Sequence, residues 1–177
     1  KNGQKVVAKI IEWPQERRNP VGEIIEILGY PDEPGIDILT IIKKYDMPLD
    51  FPEKVQKQLE QIPDKIQDED LIDREDFRHL KTITIDGEDA KDLDDAVSIK
   101  EVDNGYRLGV HIADVSYYVK EKSPLDVEAL KRGCSVYLVD RVIPMLPPKL
   151  SNGICSLNPQ TDRLTMSVII DFDLDGN

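Results

Sequence analysis

The sequence predicts an α+β protein, mostly antiparallel β with several helices. Three observations carry that assignment. Apolar residues alternate in the runs Thr82–Ile85 and Arg163–Phe172. An Asp103-Asn104-Gly105 turn joins Ala96–Val102 to Tyr106–Ile112 as an antiparallel hairpin. Helical spacing is confined to a few segments that carry their own start and stop residues.

In chain order, Val6, Val7, Ile10 and Ile11 suggest a first strand within a basic segment. Arg17-Arg18-Asn19-Pro20 reads as a loop, and Gly22–Leu28 as a second strand closed by Gly29-Tyr30-Pro31. Ile38, Leu39, Ile41, Ile42 and Tyr45 have helical spacing after Asp37. A second helix is expected from about residue 51, with Asp50 and Glu53 as a capping box and Phe51, Val55, Leu59 and Ile62 along one side. The charged stretch Gln67–Asp76 reads as a solvated linker or short helix. Ser123-Pro124 opens a helix, Asp126 and Glu128 occupy its early turns, and Gly133 sits at its stop. Val136–Val139 is a short strand, and Leu164, Met166, Val168 and Ile170 point to one side of a last one.

The 177 residues are 40% hydrophobic and 33% charged, which fits a soluble protein with room for a sizeable core. No apolar run reaches the ~18 residues of a membrane span. The start, Lys1-Asn2-Gly3-Gln4, carries no apolar leader. The chain is therefore expected to be an internal piece of a cytoplasmic protein with no membrane partner. Asp and Glu outnumber Lys and Arg by 35 to 23, a net charge of −12. That argues against the usual basic nucleic-acid binder, but not against a metal-dependent site that handles phosphate. Cys134 and Cys155 form no CxxC pattern and are expected to be buried free thiols. With only His79 and His111, histidine-based schemes have little to work with.

The informative segment is Asp86-Gly87-Glu88-Asp89-Ala90-Lys91-Asp92-Leu93-Asp94-Asp95. Ile85 and Ala96 flank it, so the chain is expected to leave and re-enter the core at the two ends, holding several carboxylates near one spot. Two carboxylates about 4 Å apart repel by about 4 kcal/mol at an effective dielectric of about 20. Such a cluster needs protonation, strong hydrogen bonding or a cation. Oxygen ligands without His or Cys favour Mg²⁺ or Mn²⁺, and a pair of such ions suits phosphodiester hydrolysis. The bland alternative is an exposed acidic hairpin loop. A calcium loop from Asp86 fails, because position six is Lys91 and position twelve is Val97. Asp92-Leu93-Asp94 also satisfies the short D-x-D pattern of nucleotide-sugar transferases. Asp171-Phe172-Asp173-Leu174-Asp175-Gly176 looks like half a calcium loop but follows a strand, so it reads as a strand end and turn.

Thr84–Val97 closely resembles the catalytic loop of the ribonuclease II/ribonuclease R (RNB) family. Further segments follow in the family's order. They are Val110–Val119, Arg132–Tyr137, Ile143–Pro147, Leu150–Pro159 and Asp162-Arg163-Leu164. The resemblance implies residues 1–35 as the closing strands of an OB-type cold-shock domain. Residues 36–80 would be a helical linker, and residues 81–177 the N-terminal part of the RNB catalytic domain. It implies a processive 3′→5′ exoribonuclease that takes single-stranded RNA 3′ ends and releases nucleoside 5′-monophosphates with Mg²⁺ or Mn²⁺. By position, Asp86, Asp92, Asp94 and Asp95 match the family's catalytic, metal-binding acids, and Asp94 is expected to be the most sensitive. Tyr137 matches the tyrosine that stacks on the terminal base, a contact every base can make. Glu88 and Asp89 match none of the four acids. Tyr117 and Tyr118 are read as structural. Trp13 is either an RNA-stacking ring or part of a barrel's core or edge, and Arg163 either an RNA contact or a buried ion-pair partner. The family also implies further basic sequence elsewhere, a monomeric parent and weak RNA binding by this acidic piece. A cut domain leaves uncovered apolar edges, so self-association of the piece is expected. The alternative is a non-catalytic RNA-binding or scaffold relative whose acidic loop is structural.

Overall fold

The computed structural model describes residues 2–16 and 18–177. Lys1 and Arg17 of the basic N-terminal segment lie outside the described residues. The chain forms two compact units, Lys1–Asp50 with Val136–Ile143, and Phe51–Ser135 with Pro144–Asn177.

In the first unit, β1 (Lys5–Glu12) pairs antiparallel with β2 (Val21–Gly29). The register slips at three places along the ribbon, and such irregularities increase local twist. Trp13 is 74% exposed, so it is not a core residue. Helix α1 (Ile36–Lys44) starts one residue before Asp37, after Gly35 in the left-handed conformation. Its buried face is Ile36 and Ile42, while Ile41 and Tyr45 are exposed. Asp37 in the first turn and Lys43 and Lys44 in the last complement the helix dipole. Lys43 also reaches Glu26 of β2 at 2.7 Å.

The second unit is built on helices packed beside a sheet. Helix α2 (Glu53–Gln61) follows Pro52, and no side chain caps it. The expected Asp50–Glu53 capping box is therefore not formed, because Pro52 takes the cap position. Its buried face is as the spacing indicated: Val55 and Leu59, with Ile62 just beyond and Phe51 packed against the same core. A 3₁₀ turn, Asp68–Leu71, follows.

Strands β3 (Thr82–Ile83), β4 (Asp95–Val102), β5 (Gly105–Ala113) and β8 (Thr165–Asp173) form an antiparallel sheet in the order β3-β4-β5-β8. Between β5 and β8 lie α3 (Val115–Tyr118), α4 (Pro124–Arg132), the pair β6 (Val136–Tyr137) and β7 (Val142–Ile143), and a π-helical segment, Lys149–Ile154. Ser123 caps α4 by accepting from the Asp126 N–H, and Gly133 ends it at positive φ. The core gathers α2, α3, α4, the π-helical segment and the end of β5 around Leu125, Leu150, Ile154 and Leu164.

The sheet's two faces divide unexpectedly. The buried face carries small and polar groups: Ala96, Ser98, Gly109, His111 and Ala113. Ser98 Oγ lies 2.9 Å from His111 Nε2, and Ser167 Oγ lies 2.8 Å from Nδ1. The Phe77 ring meets the imidazole edge-on. A Cβ on Gly109 would lie 2.4 Å from Ser98 Oγ and 2.7 Å from His111 Nε2, so glycine alone leaves room for that pair. Met166, Val168 and Ile170 do share one face, as their spacing indicated, but that face is accessible, with Met166 64% exposed.

Candidate active site

The acidic loop connects β3 to β4, and its two halves are held differently. The entry half is loose. Strand β3 ends at Ile83, and Ile85 is 83% exposed, so the expected core anchor at that end is absent. Two residues of pairing are too few to carry Ile85 inward. Among the described residues, the backbone hydrogen bond of this half is Ala90 N–H to the Gly87 carbonyl, 3.0 Å.

The exit half is stitched to the body. Leu93 N–H donates to Ser156 Oγ at 3.0 Å, and that hydroxyl donates to the Lys91 carbonyl at 2.8 Å. Leu157 N–H donates to the Leu93 carbonyl at 2.8 Å, and Ala113 N–H to the Asp94 carbonyl at 2.9 Å. Asp95 opens β4 opposite Ile112, and Ala96 is buried as expected.

Asp86 and Asp95 are exposed, Asp92 is half-buried, and Asp94 is accessible but has a carboxyl partly screened from water. Partial burial raises the Asp94 pKa above the usual carboxylate value, and the charges of Asp92, Asp95 and Asp86 raise it further. The charges of the other three predicted acids therefore reach Asp94. They do not form a closed cage: among the described residues, no three Asp, Glu, His or Cys side chains converge closely enough to grip an ion. The donors are all hard carboxylate oxygens, and Mg²⁺ takes one or two carboxylates and completes its shell with water and phosphate. The residues fit an ion bound in that open way.

Tyr137 belongs to the other unit, where β6 and β7 form a short hairpin, and it is 65% exposed. Strand β6 stops at Tyr137 rather than Val139. Both ends of this excursion are fastened in the second unit. Met145 N–H donates to Ser135 Oγ at 3.0 Å, and Arg132 donates to the Pro144 carbonyl at 3.1 Å. Arg132 is buried, paired with Glu128 at 2.9 Å, and lies over the Phe51 ring.

Several supporting residues carry no local sequence signal. Arg163 was expected to contact RNA or to form a buried ion pair. Its Nε–H donates to the Ser156 carbonyl at 2.8 Å and a terminal nitrogen donates to the Asp162 carbonyl. Burial lowers its pKa. The charged stretch before β3 is more than solvated linker. Arg74 pairs with buried Asp114 at 2.7 Å, and Tyr117 O–H donates to Asp70. Burial pushes the Asp114 carboxyl up, but hydrogen bonds from Arg74 and Ser116 outweigh it and hold the group below its usual value. Tyr118 is buried as a structural residue. Cys155 is buried, its thiol pushed up to about 12, chiefly by burial. Cys134 is exposed, contrary to expectation, because the turn after α4 faces outward. A cavity of about 940 Å³, lined by Arg74, Phe77, His111, Arg163 and Ser167 among others, lies against the polar face of the sheet.

Comparison with known proteins places this geometry. A cold shock domain profile matches residues 1–52, and an RNB domain profile matches residues 74–177. Ribonuclease R of Thermotoga maritima is 54% identical over 99% of the chain, which spans 25% of that protein. The structure of Mycoplasma genitalium RNase R in complex with ribose-methylated single-stranded RNA matches with a TM-score of 0.88 and 32% identity, over 97% of this chain and 27% of that one. The structure of yeast Ssd1, described as a pseudonuclease, matches with a TM-score of 0.72 and 23% identity, over 97% of this chain and 22% of that one, and speaks for the fold alone. The chain thus spans about a quarter of the length of these relatives. With more than half of its residues matched by that profile, the chain belongs to the RNB domain family.

Proposed function

We propose that this chain carries the metal-binding acidic loop of a processive 3′→5′ exoribonuclease that hydrolyses single-stranded RNA to nucleoside 5′-monophosphates. The observation that supports the reading most is the exit half of the loop. Fixed backbone there presents Asp92, Asp94 and Asp95, and partial burial together with the charges of Asp92, Asp95 and Asp86 raises the Asp94 pKa. Asp86, Asp92, Asp94 and Asp95 would hold Mg²⁺ or Mn²⁺. A bound ion of this kind neutralises phosphate charge and stabilises the leaving oxygen. The chain's own part is to aim the carboxylates from a fixed backbone. Tyr137 offers an exposed ring for the 3′-terminal base, a contact without sequence preference.

The test is the full-length protein carrying Asp94→Asn, assayed for mononucleotide release from single-stranded RNA. A loss of more than about a hundredfold is expected, beyond the range for groups that only support a metal ligand. Retained release would refute the reading. A scaffold protein with a structural loop would show no Mn²⁺ binding in calorimetric titration of the unmodified chain.

A further inference from the structure

The residue behind the acidic loop is Ser156, which is 0% exposed. Its polar groups are all engaged. The N–H donates to the Gly153 carbonyl, and its own carbonyl accepts from Asn158 N–H and from Arg163 Nε–H, each at 2.8 Å. The hydroxyl accepts from Leu93 N–H and donates to the Lys91 carbonyl. One small oxygen therefore ties two backbone groups that flank Asp92. The next residue, Leu157, holds the Leu93 carbonyl, in the peptide that leads into Asp94.

We propose that the Ser156 hydroxyl is a positioning group for the acidic loop, presetting the backbone on either side of Asp92 and into Asp94 so that a divalent ion meets carboxylates already aimed. This rests on the exoribonuclease reading. A hydroxyl is suited to the task because it donates and accepts at once. Alanine would leave the part-buried Leu93 N–H and Lys91 carbonyl without the partner that fixes their position, and water can meet them only if the loop shifts. The loop would then relieve the loss by moving, and the repulsion around Asp94 gives it reason to move outward. Arg163 holds the Ser156 carbonyl independently of the loop, which ties Ser156 to its own segment.

The experiment compares Ser156→Ala, Ser156→Cys and Asp94→Asn with the parent in the full-length protein. It reads Mn²⁺ affinity by calorimetry, kcat and KM on single-stranded RNA, and the melting temperature. For Ser156→Ala, Mn²⁺ affinity and kcat are expected to fall by about ten- to a hundredfold, the range for a lost support behind a metal ligand, while KM changes less than about threefold. Ser156→Cys keeps the volume and a weak donor, so it is expected to fold even where alanine does not, with intermediate Mn²⁺ affinity. Parent-like Mn²⁺ affinity and kcat in either folded variant overturns the proposal, whatever happens to the melting temperature. If Asp94→Asn is inactive while Ser156→Ala keeps parent kcat, the positioning role alone fails. If Asp94→Asn stays active, the exoribonuclease reading fails.

Discussion

The two halves of the acidic loop are made of similar residues and are held in opposite ways. Residues 86–90 leave a two-residue strand and bond mainly to themselves. Residues 91–95 are fixed by Ser156, Leu157 and Ala113 and run into a strand of eight residues. Charge alone therefore does not define the site. Three of its four acids are placed by backbone bonds to distant segments, and the fourth, Asp86, sits where the backbone is free to adjust. A rigid half that presents ligands and a compliant half that closes on them can accommodate an ion without a preformed cage.

The comparison can be broken most directly at Asp94. Alongside its loss of activity, Asp94→Asn is expected not to lower the melting temperature of the metal-free protein, since it removes a partly buried charge repelled by three others. A large fall would mean that the carboxylate is held by favourable contacts and that the exit half is not strained by charge.

A second effect should come from the buried face of the sheet. Gly109→Ala would push a methyl group into the Ser98–His111 pair, and overpacking of this kind costs about 1–3 kcal/mol. Urea unfolding measures it, and an unchanged midpoint would show that this face of the sheet has slack. Smaller and local is the expected response to Mn²⁺ in hydrogen exchange. Protection should rise at residues 86–90 and change little at 91–95, which are bonded before metal arrives. Equal gains in both halves would erase the distinction.

Smallest is the pH dependence carried by His111. Burial lowers the His111 pKa below the usual 6.5. The unfolded chain then binds a proton the folded one resists, so this contribution is complete above the unfolded value and is lost as pH falls through and below it. His111→Gln should flatten the stability profile between about pH 7.5 and 5.5 relative to the parent. Asp94 is common to both proteins and cancels from the difference.

Elements with local chemistry were legible in the sequence. Ser123-Pro124 and Gly133 delimit α4 because capping is a property of neighbouring residues. The Asp103-Asn104-Gly105 turn fixes the β4–β5 register for the same reason. The acidic loop could be found because six acids between two apolar runs need a cause. What could not be read depends on distant partners. Ser156 lies more than sixty residues from the loop it fastens, and serine within a run of small residues gives no periodic signal. Nothing local to Arg132 announces that Glu128, Phe51 and Pro144 close around it. Ile85 looked like a core anchor because alternation tells which way a side chain points but not whether anything covers it. The sheet teaches the same point: the more apolar face is accessible, and serine, histidine and glycine line the buried one.

The unequal environments of the two cysteines have a practical side. Cys155 is enclosed, and its raised pKa leaves almost no thiolate at neutral pH. Cys134 stands open to solvent three residues before Tyr137. A thiol-reactive fluorophore or spin label would therefore attach at one position among these residues, at the foot of the hairpin that presents the ring, without any prior mutagenesis.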